Sequence, residues 1–81
     1  MRFICDAKEY DSVDMVDVPT AGTNYLGIYV TSDYRCVFVG LMTYEGLKIT
    51  QASAREVEHL AKVVDHPALK RVLEWMKAGA E

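Results

Sequence analysis

No stretch of this sequence approaches the roughly 20 consecutive apolar residues that a membrane-spanning helix needs. The longest apolar run, from Cys36 to Met42, has the length of a strand. The first residues also lack the hydrophobic segment of a secretory signal peptide. These absences favour a cytoplasmic protein that does not bind membranes. With 81 residues, the chain is expected to form a single domain, residues 1–81.

Cysteine is scarce, and Cys5 and Cys36 lack the Cys-x-x-Cys spacing of zinc and redox sites. Each has an apolar neighbour, and free cysteine is among the most buried residue types. We therefore expect two reduced thiols in the core, although an oxidising compartment would permit one disulfide. A thiol inside an apolar strand is poorly activated, so Cys36 is not expected to act as a nucleophile.

Motifs of catalysis and of phosphate binding are missing. The five glycines are scattered, and no serine lies in a Gly-x-Ser-x-Gly context. His59 falls off the apolar stripe of its predicted helix and is expected on the surface, while His66 precedes Pro67 in a turn. The sequence places no pair of titratable groups together. We therefore expect no catalytic residues, no cofactor and no enzymatic activity.

The chain has no basic stripe, whereas its negative charge is concentrated near the N-terminus. The net charge is −3. Residues 1–24 hold five acids and two bases, which also gives −3, and residues 25–81 hold seven of each. Binding to a nucleic-acid backbone or to an anionic membrane requires a basic surface. We therefore expect neither kind of direct partner.

The N-terminal acids are candidates for a binding surface. They are Asp6, Glu9, Asp11, Asp14 and Asp17. Calcium loops place oxygen ligands at short intervals around a glycine, whereas Asp11, Asp14 and Asp17 have no glycine among them. We therefore expect no metal site. Two interpretations stay open, a solvated acidic face or a surface that docks onto a basic protein.

Alternating apolar residues predict a β-hairpin in the middle of the chain. Leu26, Ile28 and Val30 are expected to share one face of a strand over residues 25–31. After a turn at residues 32–34, the run 36–42 is apolar on both faces, which is typical of a central strand.

Three further segments are expected to complete the sheet. Residues 2–5 and 47–50 have strand character, and Leu47 and Ile49 are expected to face the core. Residues 13–18 are rich in β-branched side chains and precede Pro19. This composition favours an edge strand over a helical turn.

Two amphipathic helices are predicted at the C-terminus. Ser53 and Glu56 form the Ser-x-x-Glu pattern of a capping box, and apolar residues then recur at helical spacing. Pro67 begins a second helix, and Gly79 fits its C-terminal cap. The predicted fold class is α+β, a small antiparallel sheet of three or four strands with two C-terminal helices packed on one face.

Three aromatic residues are candidates for a partner-binding surface. Tyr25 and Tyr29 are expected together on the sheet face opposite the aliphatic core, and tyrosine is enriched at binding surfaces. Trp75 falls at the boundary of the apolar stripe of the second helix. It is expected either at the core edge or as an exposed anchor.

These features favour a small non-enzymatic protein-interaction module that docks onto a larger, basic protein through its acidic N-terminal edge. Carboxylates can occupy a site built for phosphates, so inhibition of a nucleic-acid-handling partner is the expected version. In size and charge, the chain is similar to phage anti-defence inhibitors such as anti-CRISPR proteins, and to nuclease-immunity proteins. The alternative is a homodimeric regulatory or ligand-binding domain with a pocket between sheet and helices. A single core of this size is expected to leave little room for such a pocket without dimerisation.

Overall fold

The computed structural model describes residues 2–5, 8–11 and 14–79, in which six strands precede two helices. Their bounds are β1 Arg2–Cys5, β2 Lys8–Asp11, β3 Met15–Val18, β4 Gly27–Thr31, β5 Val37–Thr43, β6 Gly46–Gln51, α1 Ala54–Val63 and α2 Pro67–Lys77. This order of elements confirms the predicted α+β class.

The strands from β3 to β6 form one antiparallel sheet in chain order, and β1 pairs with β2 in a separate antiparallel hairpin. The sheet register places Val16 opposite Val30 and Tyr29 opposite Phe38. The position of β5 between β4 and β6 confirms the central strand predicted from its apolar sequence. The edge strand predicted over residues 13–18 is β3, whereas β2 was not predicted as a strand.

One core joins the sheet to the helices. Ile28 and Val30 of β4 are buried together with Val37 and Val39 of β5. The helices and the C-cap of α1 contribute Val57, Leu60, Val64, Ala68, Leu69 and Val72 to this first core. They follow the spacing of an amphipathic helix, so each helix contributes its apolar stripe to the same core.

A second, smaller core contains Tyr10 of β2 together with Cys36 and Phe38. Tyr29 is half-buried and packs against it. Because successive side chains of a strand point to opposite faces, Tyr29 and Phe38 point away from the first core. Both faces of the four-stranded sheet therefore carry buried apolar residues.

Asp33 links β2 to the turn between β4 and β5. Its carboxylate accepts hydrogen bonds from the Tyr10 hydroxyl at 2.8 Å and from the Thr31 hydroxyl at 2.7 Å. Thr31 is fully buried, and its hydroxyl oxygen accepts from the Cys36 amide at 3.1 Å. These bonds satisfy polar groups that burial would otherwise leave without partners.

The helix boundaries agree with the sequence signals. The Ser53 side chain accepts from the Glu56 amide at 3.3 Å, which confirms Ser53 as the N-cap of α1, the first half of the predicted capping box. His66 precedes Pro67 as the N-cap of α2, and its Nδ1 accepts from the Ala68 amide at 3.1 Å. Gly79 follows α2 with φ of +77°, a conformation that glycine adopts without a steric penalty from Cβ.

Several expectations for individual residues were wrong. Cys36 is disulfide-bonded rather than a reduced thiol, and the one other cysteine in the sequence is Cys5. Leu26 precedes β4 and is 57% exposed, and Leu47 is 46% exposed. Of strands β5 and β6, the first core includes Val37 and Val39 as buried residues, so the apolar residues nearer the β5–β6 turn lie outside it.

Candidate interaction surfaces

Four of the five candidate acids lie among the described residues, and all four are exposed; they are Glu9, Asp11, Asp14 and Asp17, here called the acidic surface. Asp6 lies outside the described residues. Glu9 and Asp11 flank the buried Tyr10 in β2. Alternation along the strand therefore directs both carboxylates away from the second core.

The other two members of the acidic surface lie at the edge of the four-stranded sheet. Asp17 is in edge strand β3, where it lies opposite Tyr29. Asp14 immediately precedes β3, and its carbonyl oxygen accepts a hydrogen bond from the Ser32 amide at 2.7 Å. Neither Asp14 nor Asp17 forms an ion pair with a described residue.

Tyr25 and Tyr29 do not form one aromatic face, contrary to the prediction. Tyr25 precedes β4 and packs against the first core, whereas Tyr29 packs against the second. The Tyr25 hydroxyl donates a hydrogen bond to a Glu56 carboxylate oxygen at 3.0 Å. Burial raises the pKa of Tyr25, and the hydrogen bond and negative charge of Glu56 raise it further. The hydrogen bond between Tyr25 and Glu56 therefore connects the loop before β4 to the start of α1.

Trp75 is half-buried, as its boundary position predicted, and the Arg35 guanidinium carbon lies 5.4 Å from its ring centroid. Nearby in sequence, Arg71 stacks on Tyr34 with a distance of 4.0 Å to the ring centroid. Both distances fall within the range of cation–π contacts. Trp75 thus participates in the packing of α2 beside the β4–β5 turn, rather than standing alone as an exposed anchor.

A cleft of about 310 Å³ lies between the loop before β4, strand β5 and α1. Its lining residues are Gly22, Thr23, Asn24, Tyr25, Leu41, His59 and Leu60. This volume is at the lower end of the range of about 300 to 1,000 Å³ for small-molecule sites. A single chain forms this cleft, whereas little room for such a pocket was expected without dimerisation. His59 is exposed as predicted, but its position on the cleft was not.

Large apolar side chains are exposed toward the β5–β6 turn. Their exposed fractions are 57% for Leu26, 37% for Leu41, 66% for Met42, 111% for Tyr44 and 46% for Leu47. The exposure of Leu41 and Met42 was not predicted, because a strand that is apolar over residues 36–42 was expected to be buried along its whole length. Met42 and Leu47 lie opposite each other in the β5–β6 register, whereas strand alternation directs Leu41 to the other face of the sheet.

No group of three or more potential metal ligands occurs among the described residues. Helices α1 and α2 both lack the length and the apolar character that crossing a bilayer requires. Comparisons with family models, with curated proteins and with solved structures found no match to this chain. The functional argument therefore rests on the geometry of the surfaces described above.

Proposed function

We propose that this chain is a small non-enzymatic protein-interaction module that binds a larger, basic protein through the acidic surface. The supporting observation is that all four carboxylates are exposed on neighbouring parts of the chain. Asp14 and Asp17 also form no ion pair with a described residue. Opposite charge on a partner would speed association and fix its orientation.

The proposed partner handles nucleic acid, and the proposed effect is inhibition. A protein that binds a nucleic-acid backbone presents lysines and arginines toward phosphates. Exposed carboxylates held by β2 and β3 offer such a surface an alternative set of anions. Direct binding of nucleic acid by this chain is not part of the proposal, because the chain has no basic stripe. The comparison with anti-CRISPR and nuclease-immunity proteins rests on size and charge alone.

The experiment is a pulldown from a bacterial lysate at low and high salt, followed by an affinity measurement with the captured protein. The test variant replaces Asp11, Asp14 and Asp17 with Asn. We expect the wild type to capture a basic partner that is lost as salt screens the charges. The triple variant should fold normally and bind at least about tenfold more weakly, which corresponds to roughly 1.4 kcal/mol.

A matched control replaces Glu45, Glu58 and Glu74 with Gln, which removes the same charge from the β5–β6 turn and the two helices. All three glutamates are exposed. The control should retain the wild-type affinity, because the lost charge lies outside the acidic surface. Equal binding by the wild type and the triple Asn variant would contradict the proposal.

The cleft supports a second candidate, a ligand-binding domain. Leu41 and Leu60 supply apolar contacts, and His59 supplies a titratable hydrogen-bonding group at the same opening. A small molecule with an apolar body and one polar group matches this lining. Thermal-shift screening of such compounds tests the candidate, with His59→Ala as the site variant and Glu58→Ala as its neighbour on α1. A compound that stabilises the Glu58 variant but not the His59 variant would support it.

A cytoplasmic location remains part of the proposal. Proteins of the cytoplasm rarely keep disulfides, because thiol-reducing systems are active there. The redox state of Cys36 in cells therefore tests the location. Alkylation of thiols during lysis should label Cys36 in a cytoplasmic protein, and complete protection from alkylation would indicate an oxidising compartment.

A further inference from the structure

Two arginines stack on aromatic rings beside the β4–β5 turn. The Arg71 guanidinium carbon lies 4.0 Å from the Tyr34 ring centroid, and that of Arg35 lies 5.4 Å from the Trp75 ring centroid. Tyr34 and Arg35 are consecutive, whereas Arg71 and Trp75 lie four residues apart on α2 and therefore share a side of that helix. The two contacts thus cross between the turn and α2. They bring Arg35 and Arg71, here called the arginine pair, to one place on the surface.

The arginine pair has no carboxylate partner among the residues that the structure describes. The Asp33 carboxylate accepts hydrogen bonds from two hydroxyls and from the Arg35 backbone amide, rather than from the guanidinium. Glu74, three residues after Arg71, forms no ion pair with it. Both arginines are exposed. Because stacking uses the planar face of a guanidinium, the N–H groups along its edge stay available to an anion.

The backbone of Tyr34 is held in an unfavourable conformation at the same place. Among the described residues, Tyr34 is the one non-glycine residue with a positive φ, +58°. Glycine and asparagine adopt this region more readily than a bulky aromatic residue does. Neither of them would place a ring under Arg71. Strained backbone of this kind concentrates at ligand-binding sites, where the surrounding structure holds it in place.

We propose that the arginine pair binds a phosphate monoester. The planar fork of a guanidinium matches two phosphate oxygens, and stacking on a ring fixes the orientation of that fork. A phosphate monoester carries a charge of about −1.5 to −2 at neutral pH, which two guanidiniums balance. Each phosphate of a nucleic-acid backbone carries a single charge, so the arginine pair favours a terminal phosphate. The site contains no residue of the acidic surface, and it is therefore independent of the proposed function.

The experiment titrates inorganic phosphate into the protein and follows the phosphorus NMR signal, with sodium chloride holding the ionic strength constant. The wild type should bind saturably, with a dissociation constant of about 1 mM or lower. Arg35→Gln and Arg71→Gln should each raise that constant about tenfold, because each removes one charge-assisted contact. Arg71→Lys keeps the charge but not the fork and should give an intermediate value. The matched control is Arg55→Gln, which removes the same charge from an exposed position on α1 and should bind like the wild type.

Two variants at position 34 test the role of the ring, with circular dichroism to establish that each is folded. Tyr34→Phe keeps the ring and should keep the wild-type affinity. Tyr34→Asn suits the backbone but removes the ring, so its dissociation constant should rise about threefold or more, as loss of a cation–π contact predicts.

Three results would overturn the proposal. The first is the absence of saturable phosphate binding by the wild type, and the second is an equal loss of affinity in Arg55→Gln and in the variants of the arginine pair. The third is competition by acetate as strong as that by phosphate, because a singly charged carboxylate should compete at least about tenfold more weakly.

Discussion

At the scale of single residues, Gly27 illustrates how closely the second face of the sheet is packed. A Cβ at this position would meet the Tyr29 hydroxyl and would lie 2.8 Å from Tyr29 Cζ. Real Cβ contacts are longer, so a side chain at position 27 requires the Tyr29 ring to move. We expect Gly27→Ala to lower the free energy of unfolding by about 1–3 kcal/mol, as overpacking substitutions do. Urea denaturation measures this change.

The Tyr29→Ala background provides the control for this substitution. Removal of the ring leaves room for the new methyl group, so Gly27→Ala should cost much less in the double variant. Residues in direct contact commonly show such non-additive effects. Equal costs of Gly27→Ala with and without the Tyr29 ring would show that the ring is not the cause.

The raised pKa of Tyr25 predicts that the free energy of unfolding depends on pH. Burial and the hydrogen bond to Glu56 raise the pKa of Tyr25 above the ordinary tyrosine value of about 10. In the unfolded chain the residue ionises at the ordinary value, so the unfolded state loses its proton first as pH rises. The stabilising contribution is therefore complete below pH of about 10 and is lost as pH rises through the folded pKa.

The measurement compares thermal midpoints of the wild type and Tyr25→Phe from pH of about 8 to about 11. The wild type should lose more stability than the variant across this range, because phenylalanine cannot ionise. The other tyrosines are present in both proteins and cancel in the comparison. Parallel pH curves would show that ionisation of Tyr25 is not coupled to folding.

At the scale of secondary-structure elements, α2 owes its start to two adjacent residues. Pro67 supplies a preset φ at the first helical position, and His66 Nδ1 accepts from the Ala68 amide. We expect His66→Ala to lower the free energy of unfolding by about 0.5–2 kcal/mol, the usual effect of removing an N-cap acceptor. His66→Asn restores an acceptor at this position and should recover most of the loss. A similar loss in both variants would point to packing of the ring rather than to the cap.

The elements that could be predicted from the sequence are those with a local signal. Ser53 and Glu56 identify the start of α1, and Ile28 with Val30 identifies the buried face of β4 through alternation. Strand β2 lacks such a signal because its four residues include one apolar side chain, Tyr10. The burial of Tyr10 depends on Phe38, which is distant in sequence, and no local pattern reports that contact.

At the scale of the whole molecule, the surfaces that could be predicted are again those with a local sequence signal. The surfaces that were missed depend on contacts between residues that are distant in sequence. The four acids that the structure describes were located correctly on the surface, because charged residues are almost never buried without a partner. The pairing of Tyr25 with Tyr29 was wrong because Tyr25 lies before β4, where strand alternation no longer applies. The cleft was not predictable from local patterns, since it brings residues 22–25 together with His59 of α1.

The disulfide bond of Cys36 lies in the second core of the sheet. Cys36 immediately precedes β5 and is buried in the second core, beside Tyr10 and Phe38. A disulfide at this position restricts the unfolded chain, and Cys5 is the one other cysteine available within the sequence. Closing a loop of about 30 residues typically stabilises a fold by about 2–4 kcal/mol.

We therefore expect reduction to lower the free energy of unfolding by about 2–4 kcal/mol, measured by denaturation with and without a thiol reductant. The variants Cys36→Ser and Cys5→Ser should both lose their response to the reductant, because each leaves a single thiol. Non-reducing electrophoresis at one-chain mass establishes that the bond lies within one chain. If the wild type has the same stability in both redox states, the two cores hold the fold without the disulfide. The bond would then report only the compartment in which the chain was made.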